Sequence, residues 1–393
     1  MARNKRKKKL AFVVTSFQVG GVEKALLQLL RQFDRSRYEL TVFLPDEAGA
    51  WTERLRAEVP VVILRMEPFR TVLKKELRSL RVWSFLRSLF FRLLSRRVTP
   101  RNYHRGYAFF IRSLDRWPGR FDCAIAYQIV NDDCVLSCLY RLRAKKRVAW
   151  SHAVIHKEDP IYPEWYSRFD RIFCVSDYAR RVLLQNMPVL RDKAGVYYNH
   201  MDPEEIRRLA AAPGPLSGPE GTLLLLTVGR LSPEKGQLLI PPAARILLDS
   251  GCRFLWYLVG DGPSAQEIRA AIRAEGVQNW VILLGNLDNP YPCMRQCDIY
   301  VQTSLTEGWG LTVSEAKALA KPIVTTDAGV MSEQIRSGKT GIIVPQAQPE
   351  ALARGILTLA EQPALRAAFS EQLAREDLAR PQELRKLLRI IDG

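Results

Sequence analysis

Three groups of residues in this 393-residue chain have types and spacings suited to chemistry on a phosphorylated ligand. The fullest is Thr303 to Pro322, which reads Thr-Ser-Leu-Thr-Glu-Gly-Trp-Gly-Leu-Thr-Val-Ser-Glu-Ala-Lys-Ala-Leu-Ala-Lys-Pro. A short apolar run, Ile299-Tyr300-Val301, precedes it and reads as a buried parallel strand. Gly308, Trp309, Gly310 and Leu311 then form a glycine-rich turn into a helical run that Pro322 stops. A strand, a turn and a helix start gather several free backbone N–H groups at one spot, and such a spot binds anions, phosphates above all. Two carboxylates flank it, Glu307 and Glu315. On a single helix they would stand about 12 Å apart, too far for the tight pair of a retaining glycoside hydrolase. The physical reading is two separate polar contacts to one long ligand, with a diphosphate held between them. The plainer alternative has Glu307 capping the helix and Glu315 in solvent.

The second group is Gly229-Arg230-Leu231-Ser232-Pro233-Glu234-Lys235-Gly236, after a strand with four consecutive leucines, Leu223 to Leu226. It delivers an arginine and a lysine five residues apart, in a glycine loop ahead of a helix from about Gln237 to Leu248. Two fixed cations at a diphosphate stabilise a leaving group as its charge develops. The third group is a strand, Arg147 to His152, that ends on a histidine; ligands of open α/β sheets bind at the carboxyl ends of such strands.

These groups need parallel sheets to position them, and the chain supplies two sets of strand, turn and helix. Leu10 to Thr15, then Gly20-Gly21, then Val22 to Phe33 with apolar residues at helical spacing, opens the first set. Leu40–Leu44, Val59–Leu64, Phe121–Tyr127 and Arg171–Ser176 continue it, and Val196 to Asp202 reads as its last strand. The second set runs Thr222–Val228, Phe254–Val259, Val281–Asn286, Ile323–Asp327 and Gly341–Pro345. Gly260, at the end of one of these strands, belongs to a tight turn at the same sheet edge. The expected fold class is α/β, with residues 1–202 and 203–393 as two doubly wound domains.

Length and composition agree with two full cores, since 47% of the residues are hydrophobic. Seven cysteines, no C-x-x-C pair and four histidines point away from a zinc site or a disulfide framework and toward reduced thiols. The reduced thiols suggest the cytoplasm; no apolar run is long enough for a transmembrane helix, and Leu10 to Val14 reads as a first strand rather than a signal peptide. Charge is uneven: residues 1–200 hold 39 Lys+Arg against 19 Asp+Glu, and residues 201–393 hold 20 against 22. Within the basic half, segment 69–97 carries nine Lys/Arg and one acid, Glu76, with apolar residues every three or four positions. It reads as a basic amphipathic helix suited to an anionic membrane surface. An ordinary core-facing helix with a solvated basic face is the alternative. No nucleic-acid module is visible.

The residue types and spacing from Glu307 to Val324 resemble the signature of the retaining family 4 glycosyltransferases, of the bacterial surface-polysaccharide and lipopolysaccharide type, which adopt the GT-B fold. The resemblance is strong from Thr222 to Pro345 and moderate at 10–30 and 147–202. It implies two Rossmann-like domains facing a central cleft, the last helix crossing back to the first domain. It also implies a nucleotide-sugar donor, with UDP-sugars favoured, a saccharide or lipid-linked acceptor, and retaining transfer with no metal and no cofactor. By this resemblance Gly229, Arg230 and Lys235 hold the pyrophosphate, and Gly308 to Leu311 add backbone N–H groups. Glu315 takes the ribose hydroxyls, and Glu307 and His152 orient the sugar. Gly285, Asn286 and Leu287 lie by the base, Gly20 and Gly21 lie beside the phosphates, and His156 is a further candidate on the acceptor side. Two other classes share the architecture, a sugar-nucleotide epimerase and a non-catalytic membrane-associated nucleotide-binding protein.

Overall fold

The computed structural model describes residues 6–15, 20–44, 51–63, 116–129, 132–157, 159 and 162–393, with isolated positions 86, 90, 108, 111, 112 and 114. Segment 69–97 lies outside the described residues except for Leu86 and Phe90, both exposed. Two compact units are present. The first holds Met1–Val175, Ala179–Tyr198 and Gln382–Gly393; the second holds Ser176–Tyr178 and Asn199–Pro381.

In the first unit β1 (Lys8–Val13), β2 (Tyr38–Leu44), β3 (Val61–Ile63), β4 (Phe121–Ala126), β5 (Ala144–Ser151), β6 (Arg171–Cys174) and β7 (Ala194–Val196) form one sheet. Its order is β3-β2-β1-β4-β5-β6-β7, and each neighbouring pair runs parallel. Both faces of such a sheet are covered, which is why Leu10-Ala11-Phe12-Val13 is apolar throughout and fully buried. The helix Gly21–Arg31 buries Ala25, Leu26, Leu29 and Leu30, the stripe set by the sequence period. The helix Gln382–Asp392 belongs to this unit. Its Asp392 pairs with Lys8 at 3.1 Å and accepts from the Tyr38 hydroxyl at 2.8 Å.

The strand expected over Val196 to Asp202 is shorter and earlier. Tyr197 still donates to the Cys174 carbonyl, but the Tyr198 N–H turns to the Glu383 carboxylate at 3.0 Å, which ends the ladder. A helix follows that the sequence reading passed over, Pro203–Ala210. Asp202 caps it by accepting from the backbone N–H groups of Glu204 and Glu205, with Pro203 in the first turn, where its missing N–H costs nothing.

The second unit has β8 (Leu223–Val228), β9 (Phe254–Val259), β10 (Val281–Gly285), β11 (Ile299–Gln302), β12 (Ile323–Thr326) and β13 (Gly341–Val344) in the order β10-β9-β8-β11-β12-β13. These pairs are also parallel. Leu225, Trp256, Ile299, Val301, Leu352 and Phe369 lie in its core. The helix expected from Gln237 is resolved into a 3-10 turn, Gln237–Leu239, and an α-helix, Ile240–Asp249. Pro241-Pro242 explains the break, since proline fits only the first turn of a helix. Strand order reverses between β8 and β11 here, and between β1 and β4 in the first unit. At such switch points the outgoing loops part and leave a crevice at the carboxyl edge.

Candidate active site

Both loops with the strongest sequence signals leave the switch-point strands of the second unit. The Gly229–Gly236 loop follows β8, and the Thr303–Gly310 loop follows β11. The first loop is held by backbone: Gly229 N–H donates to Val259 O at 2.9 Å and Leu231 N–H to Asp261 O at 3.0 Å. Gly260, at φ +136, makes this approach possible, because a Cβ there would stand 1.9 Å from Gly229 O. Gln237, buried, donates to Arg230 O at 2.7 Å and fixes the arginine's backbone while the Arg230 side chain stays exposed. Gly236, left-handed at φ +63, abuts Thr303 O, and the Thr303 hydroxyl donates to Lys235 O at 2.8 Å.

The two loops are joined by charge. Lys235 Nζ donates to Glu307 Oε1 at 2.6 Å, with side chains 25% and 8% exposed. The same oxygen accepts from Ser304 Oγ at 2.8 Å and Gln302 Nε2 at 3.1 Å. Glu307 therefore does not cap the helix; the cap position is Gly310, at φ +83, with no side-chain cap. Its helix, Leu311–Ala318, offers its first N–H groups beside this carboxylate. Glu315 is buried rather than solvated, and the Tyr291 hydroxyl donates to its Oε1 at 3.0 Å. Burial first, and then the Glu315 charge, push the Tyr291 hydroxyl far above its ordinary range, so it remains a donor.

Trp309 contributes backbone here. Its ring is buried with Nε1 donating to Ser314 Oγ at 3.0 Å, and Arg380 lies over the ring at 4.9 Å. Ser314 Oγ donates to Gln334 Oε1 at 2.6 Å, and Gln334 Nε2 donates to the carbonyls of Trp309 and Gly310. This closed ring fixes the turn. Further along the same edge, Gly260 N–H donates to Gly285 O at 2.8 Å, with Asn286 exposed and Leu287 half-buried just beyond.

In the first unit the candidates also gather at the carboxyl edge. The helix that starts at Gly21 has Gly20 as an extended cap, and a Cβ on Gly20 would stand 2.6 Å from Glu23 Oε2. Across the switch point, Thr15 N–H donates to Gln128 Oε1 at 3.0 Å. His152 follows β5 with its ring 4.4 Å from that of Tyr127 and parallel to that of Trp150. Burial drives its pKa down to about 3, against a smaller opposing effect of a backbone hydrogen bond at Tyr127. The imidazole is thus neutral, and among the described residues Nε2 has no hydrogen-bond partner. His156 is exposed, and its backbone N–H donates to Asp159 Oδ2.

Sequence reasoning missed Gln302, Ser304, Tyr291 and Gln334. Each has a common polar side chain in an apolar or loop context, and only burial identifies its part. Among the described residues, no group of three His, Cys, Asp or Glu side chains is placed to hold a metal ion. The cysteines are free, and six of the seven are buried.

This pair of doubly wound parallel sheets, with a cation loop and a glycine–helix turn at one switch point, is the GT-B class of glycosyltransferase fold. Residues 19–205 match the model of Glycosyltransferase Family 4, and residues 213–376 match that of Glycosyl transferases group 1. The chain belongs to the family 4 glycosyltransferases. It is 30% identical over 222 residues to the lipopolysaccharide core biosynthesis mannosyltransferase LpcC of Rhizobium leguminosarum bv. viciae, covering 54% of this chain and 61% of that protein. It is 28% identical over 192 residues to the N-acetylgalactosamine-N,N'-diacetylbacillosaminyl-diphospho-undecaprenol 4-alpha-N-acetylgalactosaminyltransferase of Campylobacter jejuni, covering 48% and 50%. The matches thus span about half the length of these curated relatives. The crystal structure of Anabaena HepE in complex with UDP and glucose is similar in fold, with a TM-score of 0.70, 19% identity and coverage of 98% and 99%.

Proposed function

We propose that the protein is a retaining glycosyltransferase that takes a sugar from a nucleoside-diphosphate donor, a UDP-sugar in the first instance. The acceptor is a saccharide or a lipid-linked saccharide in surface-glycan synthesis. The observation that carries this reading is the Lys235–Glu307 pair at the start of the Leu311–Ala318 helix: cation, carboxylate and helix N-terminus at one switch point. The relatives LpcC and the Campylobacter jejuni transferase support it by their names.

On this reading Arg230, Lys235 and the backbone from Gly308 to Leu311 neutralise the diphosphate, so its charge needs no metal ion. Glu315 takes the ribose hydroxyls. The bond from the sugar's anomeric carbon to the phosphate oxygen breaks, and a bond to the acceptor oxygen forms on the same face. The acceptor's proton passes to the departing phosphate oxygen. Glu307 binds a sugar hydroxyl, and His152, neutral, offers a hydrogen bond rather than a proton.

A thermal-shift panel of UDP-, GDP-, ADP-, CMP- and dTDP-sugars with chelator present tests the donor, since native-state binding raises the melting temperature. A shift from one nucleotide class, lost in Arg230→Ala, is expected; a shift that needs added metal would overturn the metal-free clamp. The basic segment 69–97 supports a cytoplasmic protein held peripherally at an anionic membrane face. Its deletion should weaken binding to anionic phospholipid vesicles, and unchanged binding would exclude that role.

A further inference from the structure

Gln302, the last residue of β11, is 2% exposed and uses its whole amide. Nε2 donates to Ser304 Oγ at 2.7 Å and to Glu307 Oε1 at 3.1 Å. Oε1 accepts from the Tyr300 hydroxyl at 2.8 Å and from Thr312 Oγ1 at 3.2 Å. Two donors and two lone pairs are the full capacity of a glutamine amide. The reversed amide would set its oxygen against the Glu307 carboxylate, so the network admits one orientation. Burial, foremost, raises the Tyr300 hydroxyl far above its ordinary range and keeps it a donor.

These four bonds join the β11 loop to the start of the Leu311–Ala318 helix and, through Tyr300, to the end of β8. Tyr300 OH also lies 3.3 Å from Val228 O, the carbonyl just before the Gly229–Arg230 loop. Thr312 is the second residue of the helix whose N-terminus faces the proposed diphosphate. Ser304 and Glu307 belong to the loop between. Among the described residues, Oε1 takes all of Glu307's hydrogen bonds, from Lys235, Ser304 and Gln302, so Oε2 remains for a ligand.

We infer that Gln302 is the positioning residue of this site, holding Glu307 Oε1 against Lys235 so that Oε2 meets a hydroxyl of the transferred sugar. The inference rests on the proposed donor reading for the sugar, but the Gln302–Glu307 contact can be tested without any ligand.

The test replaces Gln302 with Glu, Gln302 with Met, and both residues in the exchange pair Gln302→Glu with Glu307→Gln. In Gln302→Glu two carboxylates face each other and share a proton at raised pKa. Stability contributed by that shared proton is present at low pH and lost as pH rises through the raised pKa. The melting temperature of the ligand-free Gln302→Glu protein should therefore fall short of wild type at about pH 8 and recover toward about pH 5. The exchange pair, with a single carboxylate, should differ from wild type by a pH-independent amount. A Gln302→Glu deficit that does not change with pH overturns the contact, whatever the donor.

Gln302→Met should bind UDP within about threefold of wild type in calorimetry while release of UDP from the best-binding UDP-sugar slows about 100-fold. Unchanged turnover overturns the positioning role. Failure of wild type to bind UDP or any other nucleotide would instead defeat the donor reading, leaving the pH result to decide the contact.

Discussion

Lys235 Nζ and Glu307 Oε1, 72 residues apart in sequence, stand 2.6 Å from each other and tie the β8 loop to the β11 loop. The pair sets up opposite expectations for its two members. Lys235→Ala removes a cation from the diphosphate position and should weaken UDP binding by about 10- to 100-fold, in line with one charge-assisted hydrogen bond. Glu307→Ala releases the lysine from its partner, so UDP should bind as well as to wild type or better while turnover falls. Calorimetry with UDP separates the two; equal losses in both variants would mean the pair acts only as a structural brace.

Arg230 is exposed, its backbone is held through Gln237, and its side chain makes no hydrogen bond or ion pair among the described residues. Arg230→Ala should keep the wild-type melting temperature within about a degree, since surface substitutions away from special features are nearly neutral. Turnover should fall by about 100- to 1000-fold, the usual loss for one preorganised group aimed at developing charge. Near-normal turnover would refute the clamp.

Two glycines in adjacent loops should separate folding from binding. Gly260→Ala puts a Cβ 1.9 Å from Gly229 O at a backbone angle of φ +136 that side chains rarely adopt, so it should destabilise by about 2–4 kcal/mol. Gly229→Ala meets nothing within 4 Å and should fold normally. If a diphosphate lies against Gly229, the same variant should bind UDP poorly. Denaturant unfolding and calorimetry on both proteins test the contrast, and a stable Gly260→Ala protein would contradict the close approach.

Apart from β7, the strands of both sheets were legible because parallel strands buried on both faces spell themselves as apolar runs, as at Leu10–Val13 and Leu223–Leu226. Glu307, Glu315, Arg230 and Lys235 were legible because charges beside glycine turns stand out. What they touch was not. Gln302 and Tyr300 look like ordinary strand residues until burial forces their polar atoms onto each other. Lys317, one lysine in the Leu311–Ala318 helix, is buried, with Nζ donating to Gln334 O at 2.6 Å and pairing with Glu376 at 2.8 Å. That partner lies 59 positions away, and no local pattern announces it. Helix Pro203–Ala210 was missed for a different reason: its Asp-Pro-Glu-Glu start carries a cap signal, but the strand reading took the cap itself, Asp202, as its last residue.

His152 gives the molecule a pH signature. Burial against Tyr127 and Trp150 holds its pKa near 3, whereas an unfolded histidine titrates at about 6.5. Between those values the unfolded chain binds the extra proton, so stability rises with pH there. The contribution is complete above about pH 6.5 and is lost progressively as pH falls toward 3, with a slope of at most about 1.4 kcal/mol per pH unit. Burial lowers the His200 pKa as well, so the wild-type curve carries a second contribution of the same sign. His152→Gln removes only the first, and its melting temperature should decline less steeply than wild type between about pH 6.5 and 4.5. Parallel curves would mean that the imidazole is solvated and ionises normally in the folded chain. Catalysis carries the complementary expectation. A histidine that stays neutral from about pH 5 to 8 adds no limb to the turnover profile, so His152→Gln should lower turnover without changing the shape of that profile, while His152→Ala, which cannot hydrogen-bond a sugar hydroxyl, should lower it further.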